Sequence, residues 1–553
     1  MAHSYVLPGL IVLMGFALRV YRLEQQSLWW DEIYTVARSI MSAPELIENL
    51  FESRVHLPLY FLLIQAWAEI GRSEFVIRYF SVLFGVLTLP LMVQTGRLLD
   101  GRFANGRRVG LLAAFLLAIS PFHIWYSQEA RMYTFLAFNA LAANYFLLRL
   151  FHRERRRYWA GYALTLTFTL YSHYLGALLL IAHYVFFSLH YRHDTARFKR
   201  WFGSAFVAGA AFTAWFLAVY FVSSFTQASI SWIEPARWYE PALTLLAFAA
   251  GRTIDPARLF YYLTFLAYLL AALVSLPYLR RAPFVTYNHW AARLLWAWLV
   301  APLILITLVS LDWSIPDQRF VYMDRYIISL LPAFVLLAAW GAVTMARRRR
   351  WLLPVFGALV LLPTLVSLRN LYFDPDYGRE DWRGAVAHIT ANRQPGDALL
   401  LTTGQILPLA YYEDAQLPQV VLPDVAEMAG EMTAVAQQYK RVWFIRSFDN
   451  AETHGFPQTR NVAVVAAPPD KYEAWLAAQF TPVGQWTFTG IRLTLYDLGD
   501  FLGGLVDEKG QNGRSHHTSG AYSLCVGLGG VFQPHLFFQR YRSALSAGAG
   551  VDR

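Results

Sequence analysis

Ser27-Leu28-Trp29-Trp30-Asp31-Glu32-Ile33-Tyr34-Thr35 sets two adjacent carboxylates among aromatic rings, directly after the first long apolar run, 5–23. A run of that length suits a bilayer crossing, so Asp31 and Glu32 are read as emerging into water at its far end. An ionisable pair at such a boundary can act as general base or cation ligand while the Trp and Tyr rings sit at headgroup level. The plainer reading is an interfacial aromatic belt with two solvated acids.

The rest of the composition agrees with a membrane chain. Of 553 residues, 56% are hydrophobic, 16% aromatic and only 15% charged, with a mean hydropathy of +0.34; an ordinary soluble enzyme of this length is less apolar and more charged. The net charge of +10 comes almost wholly from arginine. Those arginines cluster in short loops between apolar runs, so they report topology and imply no nucleic-acid partner. The single cysteine, Cys525, rules out an internal disulfide and offers no metal cluster. Run 5–23 has no small-residue cleavage site and reads as a first transmembrane helix, not a signal peptide.

Apolar runs occur at about 5–23, 76–96, 109–126, 132–150, 158–172, 174–190, 202–222, 259–279, 294–311, 326–345 and 352–371, which predicts about 11 transmembrane helices. Five loops carry the positive charge: Arg97, Arg102, Arg107 and Arg108; Arg149, Arg153 and Arg155 to Arg157; Arg192, Arg197, Lys199 and Arg200; Arg280, Arg281 and Arg293; Arg347 to Arg350. This one-sided pattern puts the amino terminus in the cytoplasm and the Asp31-Glu32 loop outside. The stretch 243–250 is too short to span and reads as re-entrant or interfacial. Beyond 371, prolines and charges return, and short runs at 398–401, 442–445 and 462–465 read as buried strands. The expected organisation is a transmembrane catalytic domain, 1–371, with an outer catalytic loop at 24–75. A C-terminal extracytoplasmic α/β domain, 372–498, follows, then a tail, 499–553, whose Gly and Ser content predicts disorder. The aromatic run 532–541 in that tail has no physical account. No P-loop, dinucleotide fingerprint, metalloprotease helix or tandem repeat is present.

Three further polar groups fall on the outer side in this topology. His56-Leu57-Pro58-Leu59-Tyr60 opens a stretch, 57–70, with the spacing of an amphipathic surface helix; alone, His56 reads as a satisfied loop histidine. The turn Tyr126-Ser127-Gln128-Glu129-Ala130-Arg131-Met132-Tyr133 concentrates polar groups between two spans, where charge is expensive and tends to be functional. A Glu129 to Arg131 salt bridge is its bland alternative. Within Asp317-Gln318-Arg319-Phe320-Val321-Tyr322-Met323-Asp324-Arg325-Tyr326, an arginine on the weakly basic side suits a phosphate, or else a lipid headgroup.

In this order, Asp31-Glu32, His56-Leu57-Pro58-Leu59-Tyr60, the 126–133 turn, Asp324-Arg325-Tyr326 and Asp381-Trp382-Arg383 resemble the GT-C membrane glycosyltransferases. The resemblance is to glycosyltransferase family 39, the branch of the dolichyl-phosphate-mannose protein mannosyltransferases and the aminoarabinose transferases, and it covers about 5–498. It implies an inverting transferase that moves a sugar from a polyprenyl-phosphate donor to a lipid, glycan or protein hydroxyl at the outer face of, in a bacterium, the inner membrane. It implies Asp31 as general base, Glu32 in support or on the acceptor, and substrate contacts from His56, Tyr126, Gln128, Glu129, Arg131, Tyr133, Arg325 and Tyr326. Arg131 and Arg325 are the candidates for a phosphate clamp, and a divalent cation near Asp31 is compatible with the acid pair. Leu57 stands where the family often has proline, and the tail has no counterpart.

Two other classes compete. A secondary transporter or lipid-linked sugar flippase would carry its charges on broken helices at the midplane, often in paired repeats; here the acids lie in a loop and a second domain follows. A receptor would not need the Asp-Glu pair.

Overall fold

The computed structural model describes residues 3–53, 55–99, 103–191, 195–222, 233–255, 257–279, 287–315, 318, 320–402, 406–412, 417–423, 425–447 and 470–499. The strand expected at 462–465, the tail beyond 499, Asp317 and Arg319 lie outside these residues. The chain divides into two compact units: one joins Met1–Glu24 to Arg38–Phe373, the other joins Gln25–Ala37 to the described residues from Asp374 onward.

The first unit is helical. It runs from α1 (His3–Val20) into α2 (Trp30–Ser39), which begins in the second unit, then α3 (Ala43–Ser53), α4 (Pro58–Ala68) and α5 (Glu74–Arg97). Next come α6 (Phe103–Ala118), α7 (Pro121–Ser127), α8 (Tyr133–His152), α9 (Arg156–Ser172), α10 (Leu178–Tyr191) and α11 (Thr195–Val222). The last are α12 (Glu240–Ala250), α13 (Leu259–Leu273), α14 (Tyr287–Ser310), α15 (Leu331–Arg348) and α16 (Leu352–Phe373). The apolar runs read from the sequence fall on these helices, except that 109–126 is divided between α6 and α7 and the runs at 174–190 and 326–345 begin in 3-10 turns. Among the described residues six helices are long and apolar enough to cross a membrane, or seven if α6 and α7, bent by 62° at their break, form one span. The other apolar helices, α1, α10 and α13 among them, are shorter than the roughly 20 residues a perpendicular crossing takes. The chain is an integral membrane protein.

Burial orders the bundle. The apolar segment ending in α15 is 94% buried, as suits a helix hydrophobic on all sides at the centre of a bundle, whereas α11 is 17% buried and turns its apolar surface outward. Gly341 permits the central contact, because a side chain there would run into the carbonyl of Ala271 on α13; small residues let membrane helices approach in this way. The 57–70 stretch departs from the expected surface helix. Pro58 at its first position starts α4 without a backbone N–H to satisfy, and Tyr60, Phe61 and Ile64 are buried against Phe80 and other core residues, because the protein itself covers the apolar face.

The second unit is α/β. Its sheet has the order β2-β1-β3-β5-β4, with β1 (Asp397–Leu401), β2 (Gln419–Val421), β3 (Arg441–Ser447), β4 (Pro482–Phe488) and β5 (Ile491–Asp497). The β1 strand pairs in parallel with β2 and β3, and β5 runs antiparallel to β3 and β4. Helix α17 (Trp382–Asn392) and α18 (Ile406–Tyr412) cover one face, where Trp382, Val386, Ile389 and Leu409 meet Leu399 and Trp443. On the other, α19 (Met428–Gln438) and α20 (Lys471–Gln479) bring Met432, Val435 and Leu476 to Leu400 and Phe444. Cover on both faces is why β1 and β3 read as continuous apolar runs instead of alternating. Asp397 locks the first turn of the sheet through paired hydrogen bonds from Arg441, 2.8 Å each, and one from the Trp443 indole at 2.9 Å. Burial alone would raise its pKa, and the hydrogen bonds and charge of Arg441, with hydrogen bonds from the Gln394 N–H and the Trp443 indole, together outweigh this and hold the carboxyl below its usual range.

Candidate functional site

Asp31 and Glu32 occupy the first turn of α2 but meet different surroundings. Glu32 is fully buried and forms an ion pair with Arg379 at 3.0 Å. Its carboxylate also faces back to the Trp29 N–H at 3.4 Å, while the Glu32 N–H donates to the Trp29 carbonyl at 2.9 Å. The Glu32 side chain thus supplies one half of a capping box; Trp29, which has no side-chain acceptor, offers its carbonyl in place of the other half. Asp31 is half-buried. The segment leading into it is tied down within its own unit: Leu28 N–H donates to the Tyr412 hydroxyl at 2.6 Å, Arg379 N–H to Gln26 at 3.0 Å, and Arg383 N–H to Ser27 Oγ at 3.1 Å. Ser27 Oγ in turn donates to Asp381, which caps α17 through the Gly384 N–H at 2.9 Å. Among the described residues no three His, Cys, Asp or Glu side chains lie together as a metal site.

In the helical unit, His56 precedes α4 with a guanidinium at each ring nitrogen: Arg38 Nη1 is 3.1 Å from Nδ1 and Arg131 Nη2 is 2.8 Å from Nε2. A neutral imidazole accepts at one nitrogen only. Its tautomer therefore selects which arginine it hydrogen-bonds. Arg38 is further held by Asn49 at 2.9 Å and lies 4.7 Å over the Phe61 ring. Arg131 is fixed through its backbone, its N–H donating to the Glu129 carbonyl at 2.7 Å and its carbonyl accepting from Ser81 at 3.0 Å. Arg325, with its guanidinium 5.4 Å from the Tyr326 ring, opens a 3-10 turn, Asp324–Leu330, that leads into α15. Tyr326 in turn stacks on Tyr133 at 6.4 Å and meets His173 at 4.8 Å, and Tyr133 meets Tyr126 edge-on at 5.1 Å. The Tyr126 hydroxyl accepts from Arg252 at 3.0 Å, and Arg252 pairs with Asp324 at 2.6 Å.

The break between α6 and α7 positions this turn. Pro121 cannot continue α6, so Ser120 caps α7 and carbonyls at the end of α6 are left over. Arg19 of α1, wholly buried, uses its five N–H groups on Gly15, Leu117 and Ala118 carbonyls, Ser127 Oγ and His123 Nδ1. Gln128 completes the latch, donating to the carbonyls of Arg19 at 3.1 Å and Tyr21 at 2.8 Å. Thus Gln128 braces the turn, and Glu129 lies buried within it.

Of the residues singled out in the sequence, His56, Tyr126, Arg131, Tyr133, Arg325 and Tyr326 come together in the helical unit. Asp31 and Glu32 are packed with the α/β unit. Sequence reasoning missed Arg38, His173, Arg252 and Arg379. Arg252 had a signal: like Arg325 it is an arginine that the one-sided loop charge does not account for. Its placement needs Gly251, whose φ of 88° ends α12 in a conformation that L side chains rarely adopt.

Both histidines of the cluster resist protonation. Burial, with Arg38, Arg131 and His173 adding repulsion, holds His56 well below the ordinary imidazole value; burial with Arg131 and Arg325 pushes His173 down to about 3. Unfolded, each titrates near ~6.5, so below that pH unfolding takes up protons the folded state refuses, and stability falls on acidification by up to ~1.4 kcal/mol per pH unit per histidine. Thermal melts from pH 7.5 to 5 are expected to show this slope in the parent and a smaller one in His56→Gln; equal slopes would count against a neutral His56.

The sequence model of the dolichyl-phosphate-mannose-protein mannosyltransferases matches residues 55–213, under a third of the chain, including His56, Arg131 and His173. No curated protein matches by sequence. Among solved structures, ArnT from Cupriavidus metallidurans bound to undecaprenyl phosphate is 13% identical with a TM-score of 0.54, over 90% of this chain and 98% of that one. Its apo form is 14% identical with a TM-score of 0.57, over 90% and 99%. The Archaeoglobus fulgidus oligosaccharyltransferase in its apo form is 12% identical with a TM-score of 0.50, over 80% and 70%. At these identities the structures establish the fold, and the family match supplies the sequence link. Together they make the chain similar in fold to the GT-C membrane glycosyltransferases and, over residues 55–213, similar in sequence to glycosyltransferase family 39.

Proposed function

We propose that the chain transfers a sugar from a polyprenyl-phosphate donor to an acceptor hydroxyl at the outer face of the membrane, with inversion at the anomeric carbon. The observation that carries this reading is the gathering of Arg38, Arg131, Arg252 and Arg325 with two neutral histidines among stacked tyrosines, in a fold that ArnT bound to undecaprenyl phosphate shares. Charged groups gathered at membrane depth tend to be functional, and a guanidinium fork matches phosphate oxygens. Arg131 and Arg325 hold the donor phosphate, and His56, by its tautomer, leaves Arg131 or Arg38 to turn to it.

In the reaction the acceptor oxygen attacks the anomeric carbon as the bond from that carbon to the phosphate oxygen breaks. The electron pair leaves with the phosphate, whose charge the guanidinium groups stabilise. Asp31 takes the acceptor's proton. The donor ester is already activated, so no nucleotide is consumed. The one-sided arginine loops support the outer face as the site of transfer.

The test uses purified protein and a labelled polyprenyl-phosphate sugar. Arg325→Ala is expected to weaken donor binding about 10–100-fold, the range for a lost charged hydrogen bond, with acceptor affinity little changed. Equal donor affinity would remove Arg325 from the clamp, and no donor binding by the parent chain would overturn the reading. Mass analysis of envelope lipids, glycans and proteins from cells with and without the chain would identify the acceptor.

A further inference from the structure

We infer that Asp324 recognises the transferred sugar, its Oδ2 accepting a hydrogen bond from one of the sugar's hydroxyl groups; this rests on the polyprenyl-phosphate reading above. Oδ1 is fully engaged, taking Arg252 Nη1 at 2.6 Å and the Arg325 N–H at 2.7 Å. Oδ2 is buried and has no hydrogen-bond partner among the described residues, and the side chain as a whole is 6% exposed. A carboxylate oxygen left in that state costs free energy, and native structures keep one chiefly where a ligand, ion or water completes it.

The surroundings select the ligand. Asp324 is sequence neighbour to Arg325, the clamp residue, and shares Arg252 with Tyr126, so a donor whose phosphate meets Arg325 brings its sugar ring close to Oδ2 and to the tyrosine faces. Aromatic faces with a carboxylate acceptor at their edge suit the apolar face and outward hydroxyls of a pyranose. The negative charge of Asp324 is already matched by Arg252 at 2.6 Å. What remains at Oδ2 is acceptor capacity without net charge, which favours a neutral O–H over an ammonium group. The transferred sugar is therefore a neutral one at this position, not an amino sugar.

The experiment measures transfer from polyprenyl-phosphate hexoses lacking one hydroxyl at a time, and from an amino-sugar counterpart, with the parent chain and with Asp324→Asn, which puts an amide donor where Oδ2 accepts. Expected is a loss of about 10–100-fold in kcat/KM for Asp324→Asn with the full donor. One deoxy donor should be poor with the parent and no poorer with the variant, while the others fall in parallel. Because Asp324→Asn leaves Arg252 facing a neutral group, Arg252→Gln with Asp324→Asn serves as a charge-neutral second variant, expected to show the same single-donor coupling if the single variant does not fold. Coupling to no donor, to all alike, or to an amino-sugar donor overturns the inference. If the parent turns over the donors and Asp324 is uncoupled, only this inference falls; if the parent turns over none, the donor reading itself falls.

Discussion

Exchanging Asp31 for Asn is expected to lower sugar transfer by about 10²–10⁴-fold, the usual contribution of a positioned general base, while leaving the melting temperature almost unchanged. The substitution is isosteric and removes only the ability to take a proton. Asp31 is half-buried at the second position of α2, where an acid gains roughly 0.3–1 kcal/mol from the helix dipole. That is the scale of the expected stability loss, too small to unfold the chain. Initial rates at saturating donor, set beside melting curves of both proteins, separate the two effects. Undiminished transfer by Asp31→Asn would exclude Asp31 as the base.

The neighbouring acid should behave in the opposite way. Glu32→Gln is expected to destabilise the protein by about 3–5 kcal/mol, the cost of breaking a buried ion pair by removing one partner. Arg379 lies 3.0 Å from the Glu32 carboxylate, with side chains 8% and 0% exposed, and the neutral amide leaves that guanidinium facing no charge from residue 32. The double variant Glu32→Gln with Arg379→Gln should recover much of the loss, because neither charge is then stranded. Thermal or denaturant unfolding of the four proteins gives the coupling directly. A Glu32→Gln protein that melts like the parent yet fails to transfer sugar would make Glu32 a chemical group and not a structural one. The adjacent pair thus divides by burial, Asp31 half-buried and Glu32 wholly buried in its ion pair with Arg379.

That division was not visible in Asp31-Glu32 as a string, since adjacent carboxylates look alike until Trp29 and Arg379 are placed beside the second. The same holds for His56. Its sequence context gave a loop histidine before a helix, and only the approach of Arg38 from α2 and of Arg131 from the turn before α8 makes it a neutral ring between two cations. Arg325 was legible because topology left it unexplained, and Arg131 because charge concentrated between two spans is expensive. Arg252 followed the same logic but sat behind a helix too short to read as a span, and its partner Asp324 is 72 residues away. Strands β1 and β3 were legible as apolar runs. By contrast β4 and β5, whose residues alternate or carry polar side chains, depend on pairing with β3 to be strands at all.

What the sequence by itself determined was the membrane-embedded class, the position of the long apolar helices, the α/β character of the C-terminal region and the identity of most of the polar groups. These follow from length, periodicity and charge bias, which are properties of neighbours along the chain. What only the tertiary structure decided was the company each polar group keeps: Glu32 with Arg379, His56 between two arginines, Arg252 with Asp324, Arg19 across a broken helix. Hydrogen bonds and ion pairs act over about 3 Å, and residues that far apart in space can be a hundred positions apart in the chain, so no local pattern encodes which of them will meet.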